Sequence, residues 1–188
     1  MAGARGEAEQ TTPERLLEAA ALEFNAHGYG GTDTNKIARR AGFAPQTFYR
    51  WFTDKLVVFI KIYERWQGEE LGLIEPLLAE NASDARVAEA IIAHHRAYLV
   101  FRRSLRQLAV ESEAVRIARA RSRQNQIAYL KTANLGYGLD DSAIVAILFQ
   151  MERLADALAE GEFSDIGVDS TGGEAALARL VQDLRAPE

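Results

Sequence analysis

Apolar side chains recur at three- and four-residue intervals along most of the chain, and no segment shows the alternation of a half-buried strand. Leu16, Leu17, Ala20, Ala21 and Phe24 form the first such stripe. Thr12 as N-cap and Pro13 at the first helical position predict where that helix opens, and Gly28, Gly30 and Gly31 predict where it stops. A second, short helix is expected from Asp33 or Thr34 to Ala41, burying Ile37, Ala38 and Ala41. Gly42 supplies the permissive backbone of a tight turn. Pro45 opens a third helix carrying Phe48 and Phe52. Thr53 and Asp54 cap a fourth, linking helix over 54–71, with Leu56, Phe59, Ile60 and Tyr63 on one face.

Beyond Gly72 the chain becomes Ala- and Leu-rich, and residues 72–188 read as a second, C-terminal helical domain. Helices are expected from Ser83 to Phe101, over Leu105–Glu111, over Ser112–Leu135, from Asp140 or Asp141 to Gly161, and from Glu174 to Arg185. A Gly-, Ser- and Asp-rich loop over Ser164–Gly173 precedes the last of these, and residues 1–11 read as a disordered tail. The fold class is therefore all-α, without repeats.

Composition narrows the function. The 188 residues carry a formal net charge of −5 and no cysteine, which removes disulfides, thiolate metal sites and cysteine nucleophiles. The apolar run over 143–149 is too short to span a bilayer, and the N-terminus shows no signal sequence, so a cytoplasmic protein without membrane contact is expected. Histidines at 27, 94 and 95 lack metal-site spacing, and no nucleophile, phosphate-loop or dinucleotide motif is present, so the expectation is a non-enzyme without metal or cofactor. The acidic total conceals an asymmetry. Residues 32–65 hold seven basic side chains against three acidic ones, whereas residues 66–188 hold 13 against 19. A basic head on an acidic body is the electrostatic footprint of a nucleic-acid-binding module.

The basic stretch contains TDTNKIARRAGFAPQTFYRWFTDK, residues 32–55. Two short helices joined by a tight turn at Gly42, after a supporting helix, have the layout of a helix-turn-helix, whose second helix enters the major groove. The run Gly28-Tyr29, Thr32, Ile37-Ala38, Ala41-Gly42-Phe43, Thr47-Phe48-Tyr49, Phe52 and Asp54-Lys55 resembles the N-terminal signature of the TetR (tetracycline-repressor) family over about residues 12–65. The resemblance implies a three-helix DNA-binding domain at 12–55, with 34–41 and 45–51 as the two motif helices. It places Pro45, Gln46, Thr47, Tyr49, Arg50 and Trp51 where the family meets DNA, Thr47 and Tyr49 on phosphates, and Lys55 where a lysine binds phosphate. Gln46 suits adenine, and Arg50 suits guanine or phosphate. Thr34 and Lys36 lie at a helix N-terminus that favours phosphate. Ala44 stands where the family commonly has a serine cap. Trp51 stands where histidine or tyrosine is usual, leaving open whether it contacts DNA or packs.

By the same resemblance, the C-terminal domain dimerises and senses a small molecule. The helices at 141–160 and 174–185 would form a four-helix interface in a homodimer, although their stripes equally suit the chain's own core. Candidate effector contacts are His95, Tyr98, Phe101, Tyr129 and Phe149, beside a His94 that points elsewhere on the helix. Arg116, Arg119 and Arg123 share a face, read as solvated and paired with Glu111 and Glu113. The function expected is a repressor that a small ligand releases from a pseudo-palindromic double-stranded operator. The alternative is a DNA-binding protein of the same fold that has no effector and acts through protein partners.

Overall fold

A computed structural model describes residues 10–185, and most of the tail expected over 1–11 lies outside the described residues. The described residues hold ten α-helices and no strand: α1 Thr12–His27, α2 Thr34–Arg40, α3 Pro45–Trp51, α4 Lys55–Ala79, α5 Asp84–Ala97, α6 Leu99–Glu111, α7 Glu113–Thr132, α8 Asp141–Glu160, α9 Glu162–Asp165 and α10 Thr171–Leu184. None of the described helices is long and apolar enough to cross a membrane. The chain divides into two compact units, Met1–Tyr63 and Glu64–Glu188.

In the N-terminal unit, α1 opens one residue earlier than expected. Thr11 is the cap, because the Glu14 carboxylate reaches back to accept its backbone N–H at 2.7 Å. Asp33 caps α2 by accepting the Lys36 N–H at 2.8 Å, and Asp54 accepts the Val57 N–H at 2.9 Å at the start of α4. Leu16, Phe24, Ile37, Phe48 and Phe59 are wholly buried, with Phe24 edge-on to Phe59 at 5.1 Å.

Three cations brace this unit from within. Arg15 of α1 donates to the Ala41 carbonyl at 2.8 Å and lies 4.6 Å over the Phe43 ring, holding the α2–α3 turn in which Gly42 takes φ +79°. Arg40 is ion-paired at 2.5 Å with Glu23, which is buried on α1. The Lys55 ammonium donates to the carbonyls of Tyr29 and Thr32 at 2.7 and 2.8 Å, and sits 3.9 Å over the Tyr29 ring. Desolvation there pushes the Lys55 pKa down, against a smaller opposing pull from Asp33.

In the C-terminal unit, α4 runs to Ala79 rather than to 71. The space around Gly68 and Gly72 is open, and Ile74, Leu77 and Leu78 pack on the core beyond them. Packing of that apolar face outweighs the roughly 1 kcal/mol helix penalty of an isolated glycine. The helix expected over 83–101 divides at Tyr98, which leaves helical geometry while its hydroxyl donates to Glu69 at 2.6 Å. At the other end, α10 begins three residues early, because a bare Gly173 lets it close on α8 and α9. A Cβ there would meet Phe163 Cζ at 2.6 Å and Leu158 Cδ2 at 3.0 Å. Val87, Ile91, Ala155, Leu158, Leu177 and Val181 form the apolar core between α5, α8 and α10.

An ionic cluster is buried beside that core. Asp156 on α8 and Arg102 on α6 are each only 2% exposed. Arg102 donates Nε and Nη2 to the two carboxylate oxygens at 3.0 Å, and Nη2 also to Glu152 at 3.0 Å. Arg106 reaches Asp156 at 2.7 Å and also pairs with Glu160. Arg119 and Arg123 of α7 join Glu152, not the Glu111 and Glu113 expected of a solvated face. His95 of α5 bridges Asp156 to Glu70 of α4. Burial raises the Asp156 pKa most strongly, yet the hydrogen bonds and charges of His95 and Arg102 outweigh it and hold the group well below the usual carboxylate range.

Breaking a buried pair from one side leaves a desolvated charge. Arg102→Ala is accordingly expected to lower unfolding free energy by about 3 kcal/mol in urea denaturation, against less than about 1 kcal/mol for Arg103→Ala, whose side chain is largely exposed. Lys55→Ala removes the donor of two carbonyls and is expected to cost about 1–3 kcal/mol, whereas the exposed Lys61→Ala stays within about 0.5 kcal/mol.

Candidate nucleic-acid interface and helical-domain cavity

The seven-residue α3 has two faces. Phe48 and the following Phe52 turn into the core, which leaves Gln46, Tyr49 and Arg50 together on the outside at three- and four-residue spacing. Tyr49 is 60% exposed and Trp51 54%, so neither is a core residue. The Tyr49 hydroxyl shares a 2.9 Å hydrogen bond with Thr34 Oγ1, tying the outer faces of α2 and α3 together. Pro45 supplies the first turn of α3 in place of a side-chain cap, since Ala44 has none, and Thr47 is half-buried with its N–H on the Ala44 carbonyl at 2.9 Å.

Thr34 and Lys36 stand at the start of α2, but the Lys36 N–H there is already taken by the Asp33 carboxylate, so that amide is not open to a phosphate. The Lys36 ammonium donates to the Gly31 carbonyl at 2.8 Å from an exposed position. Lys55 is half-buried and gives two of its three ammonium protons to the loop before α2, so its primary contact is with the protein. Exposed cations in this unit therefore include Lys36, Arg39, Arg50 and Lys61, whereas Arg40 is committed to Glu23.

The C-terminal unit holds a cavity of about 440 Å³, partly open to solvent and within the size range of small-molecule sites. Leu71, Ile74, Val87, Ile91, Leu148 and Val181 make its apolar walls. Its polar wall lies where α4 meets α7: Gln67 Oε1 accepts from Ser122 Oγ and Gln126 Nε2, both at 2.8 Å. Arg121 and Asn125 line it from exposed positions. A smaller space of about 100 Å³ shares Gln67, Glu70, Ile74, Ile91, Gln126, Leu148 and Met151 with the main cavity and ends on His95, Arg102 and Glu152.

Of the five effector candidates, Tyr129 lines the main cavity and His95 the smaller one. The other three lie elsewhere. Phe101 is wholly buried in the core, Tyr98 is bonded to Glu69, and Phe149 is 55% exposed on the outer face of α8, with the Arg123 guanidinium 5.1 Å over its ring. Periodicity identified aromatic residues on these helices without showing which way each helix turns. Gln67, Gln126, Arg102 and Asp156 escaped notice, although one signal was available: Asp156 interrupts an otherwise apolar run from Leu154 to Ala159. Phe149 belongs to an outward groove on α8 to α10 that includes Leu154, Ile166 and Leu180.

Residues 16–62 match the family model of bacterial regulatory proteins, tetR family. A stretch of 68 residues is 35% identical to the uncharacterized HTH-type transcriptional regulator YdgC of Bacillus subtilis, covering 36% of this chain and 35% of that protein. Another comparison gives 26% identity over 81 residues with the fatty acid metabolism regulator protein of the same species, 43% and 42% of the two chains. The matches thus span less than half the length of these curated relatives. The crystal structure of the transcriptional regulator FadR from Bacillus subtilis, in complex with stearoyl-CoA, is similar with a TM-score of 0.57 at 18% identity, over 91% of this chain and 98% of that one. All three are described as regulators, two of them as transcriptional regulators. Residues 16–62 therefore carry the signature of the tetR family of bacterial regulatory proteins, and the all-helical fold that follows them is the fold of the similar solved structure.

Proposed function

We propose that the protein is a homodimeric, cytoplasmic repressor that reads a pseudo-palindromic operator with α3 and is released when a small amphipathic molecule enters its C-terminal cavity. The observation that carries the DNA-binding half is the outer face of α3, where Gln46, Tyr49 and Arg50 stand clear of the core with Trp51 beside them. Gln46 and Arg50 have the donor geometry for base edges, and Thr34, Lys36, Thr47 and Tyr49 suit phosphates. Pro45 presets the start of that helix. The third proton of Lys55 remains for a phosphate, secondary to its hold on the loop.

The effector half is supported by the cavity, since a DNA-binding protein that acts only through protein partners needs no apolar cavity of ligand size. A relative solved with stearoyl-CoA supports a ligand with a long alkyl tail. Here the tail would lie among Leu71, Ile74, Ile91 and Leu148, with a polar head toward Arg121 and Asn125. A ligand shifts DNA affinity only as far as it prefers one conformer of the dimer. The groove bearing Phe149, Leu154, Ile166 and Leu180 supports a dimer through α8 and α10.

With an operator selected from a random DNA pool, Tyr49→Ala and Arg50→Ala are each expected to weaken binding about tenfold to hundredfold in gel-shift titration. Unchanged affinity for both variants overturns the assignment of the reading face. Phe149→Asp is expected to convert the dimer to monomer in sedimentation equilibrium, and an intact dimer refutes the α8–α10 interface.

A further inference from the structure

The smaller space beside the cavity ends on a histidine that the effector reading does not use. His95 is 3% exposed, and both its ring nitrogens face carboxylates. Nδ1 lies 2.8 Å from Asp156 Oδ1 on α8, and Nε2 lies 3.1 Å from Glu70 Oε1 on α4. Ionised carboxylates only accept, so satisfying both contacts requires a proton on each nitrogen. Asp156 has no proton to give, being held ionised by Arg102 and Arg106 as well. The geometry points to His95 as an imidazolium that latches α4 to α5 and α8, and we propose that loss of its proton releases the Glu70 wall of the cavity and makes effector binding pH-dependent.

The surroundings of the ring are consistent on every side. From α4 it meets Glu70, and Trp66 edge-on at 5.2 Å; from α8 it meets Asp156, with Glu152 beyond. From α6 it meets the Arg102 charge, which opposes protonation but is itself neutralised by Asp156 and Glu152; Arg123 of α7 lies across the smaller space, paired with Glu152. On α5 its neighbour is His94, which donates Nε2–H to the Trp66 carbonyl at 3.2 Å. Burial is the largest influence on both histidines and pushes both down. It prevails for His94, whereas for His95 the hydrogen bonds to Asp156 and Glu70 outweigh it and leave the pKa above the ordinary histidine value. Adjacent residues are thus shifted in opposite directions.

When the pH rises through the raised pKa, one ring proton passes to solvent. Nδ1 keeps its proton against the more deeply buried carboxylate, so Nε2 becomes a lone pair facing the Glu70 oxygen, and that contact turns from attraction to repulsion. The stabilisation from the raised pKa is complete below the ordinary histidine value and is lost as pH climbs through the folded-state value. Because Glu70, Gln67 and Ile74 of α4 line both spaces, loosening α4 there alters the cavity itself. This consequence rests on reading that cavity as the effector site.

Two measurements on the full chain decide the matter. Nitrogen-detected NMR of 15N-histidine-labelled protein, assigned with His27→Gln and His94→Gln, is expected to show both His95 nitrogens protonated well above pH 6.5. Titration at or below that value overturns the latch. Binding of the neutral fluorophore N-phenyl-1-naphthylamine is expected to change about fivefold or more across the His95 midpoint and to show no such step in His95→Gln. In Glu70→Gln, which keeps an acceptor but removes the charge, midpoint and step are expected to move down together, so the result does not depend on one variant folding. A step that persists unshifted in both variants, or no step across the NMR midpoint, overturns the coupling. A fluorophore that binds at no pH refutes the effector cavity, while the NMR midpoint still decides the protonation of His95.

Discussion

Asp156 imposes one requirement that orders the whole C-terminal unit. A carboxylate within an apolar run of α8, 2% exposed, is costly to desolvate unless its lone pairs find donors. Arg102 supplies two donors from α6, with the Arg106 charge beside them, and His95 supplies one from α5, so the register between these helices and α8 is set by hydrogen-bond geometry as well as by packing. The cluster then spreads outward, Glu152 drawing in Arg119 and Arg123 of α7, and His95 drawing in Glu70 of α4. Such clusters contribute little net stability compared with well-packed apolar residues. Their effect here is positional: five helices are held about a floor whose charges already neutralise one another.

That arrangement explains the chemistry of the cavity above it. A floor of mutually paired charges offers no free cation at the deep end, while Arg121 and Asn125 line the cavity from exposed positions. The apolar walls come from α4, α5, α8 and α10, the same helices whose relative positions the ionic cluster and the core jointly determine. The contacts of α4 with its neighbours include the polar ones of Gln67, Glu69 and Glu70 beside the apolar packing of Ile74, Leu77 and Leu78.

In the N-terminal unit the same distinction separates cations used for structure from cations left for solvent. The excess of basic residues over 32–65 suggests a uniformly cationic reading head, yet Arg40 is spent on Glu23 and Lys55 largely on two carbonyls. Arg15, which lies before that stretch, steadies the turn at Gly42. What remains outward on α3 is compact: Gln46, Tyr49 and Arg50. These outward groups are held by a brace that includes Lys55, which the family resemblance alone assigns to a phosphate.

The sequence by itself determined the helical class, the turn at Gly42, the cap at Asp54, the short helix carrying Phe48 and Phe52, and the family signature, because each depends on local backbone chemistry or on a period of 3.6 residues. It also showed a helical stop at Gly161, where the backbone turns left-handed at φ +81°. Tertiary structure decided what local signals cannot carry. It extended α4 past Gly72, because Ile74, Leu77 and Leu78 find a core there, and it started α10 at Thr171, because only a glycine at 173 fits beneath Phe163. It turned Phe149 outward and Phe101 inward, and it left Tyr129 on the cavity wall. It also gathered His95, Arg102, Glu152 and Asp156 from three helices into one buried cluster. Periodicity reports which residues share a face of one helix; which faces meet depends on burial and charge compensation summed over all of them.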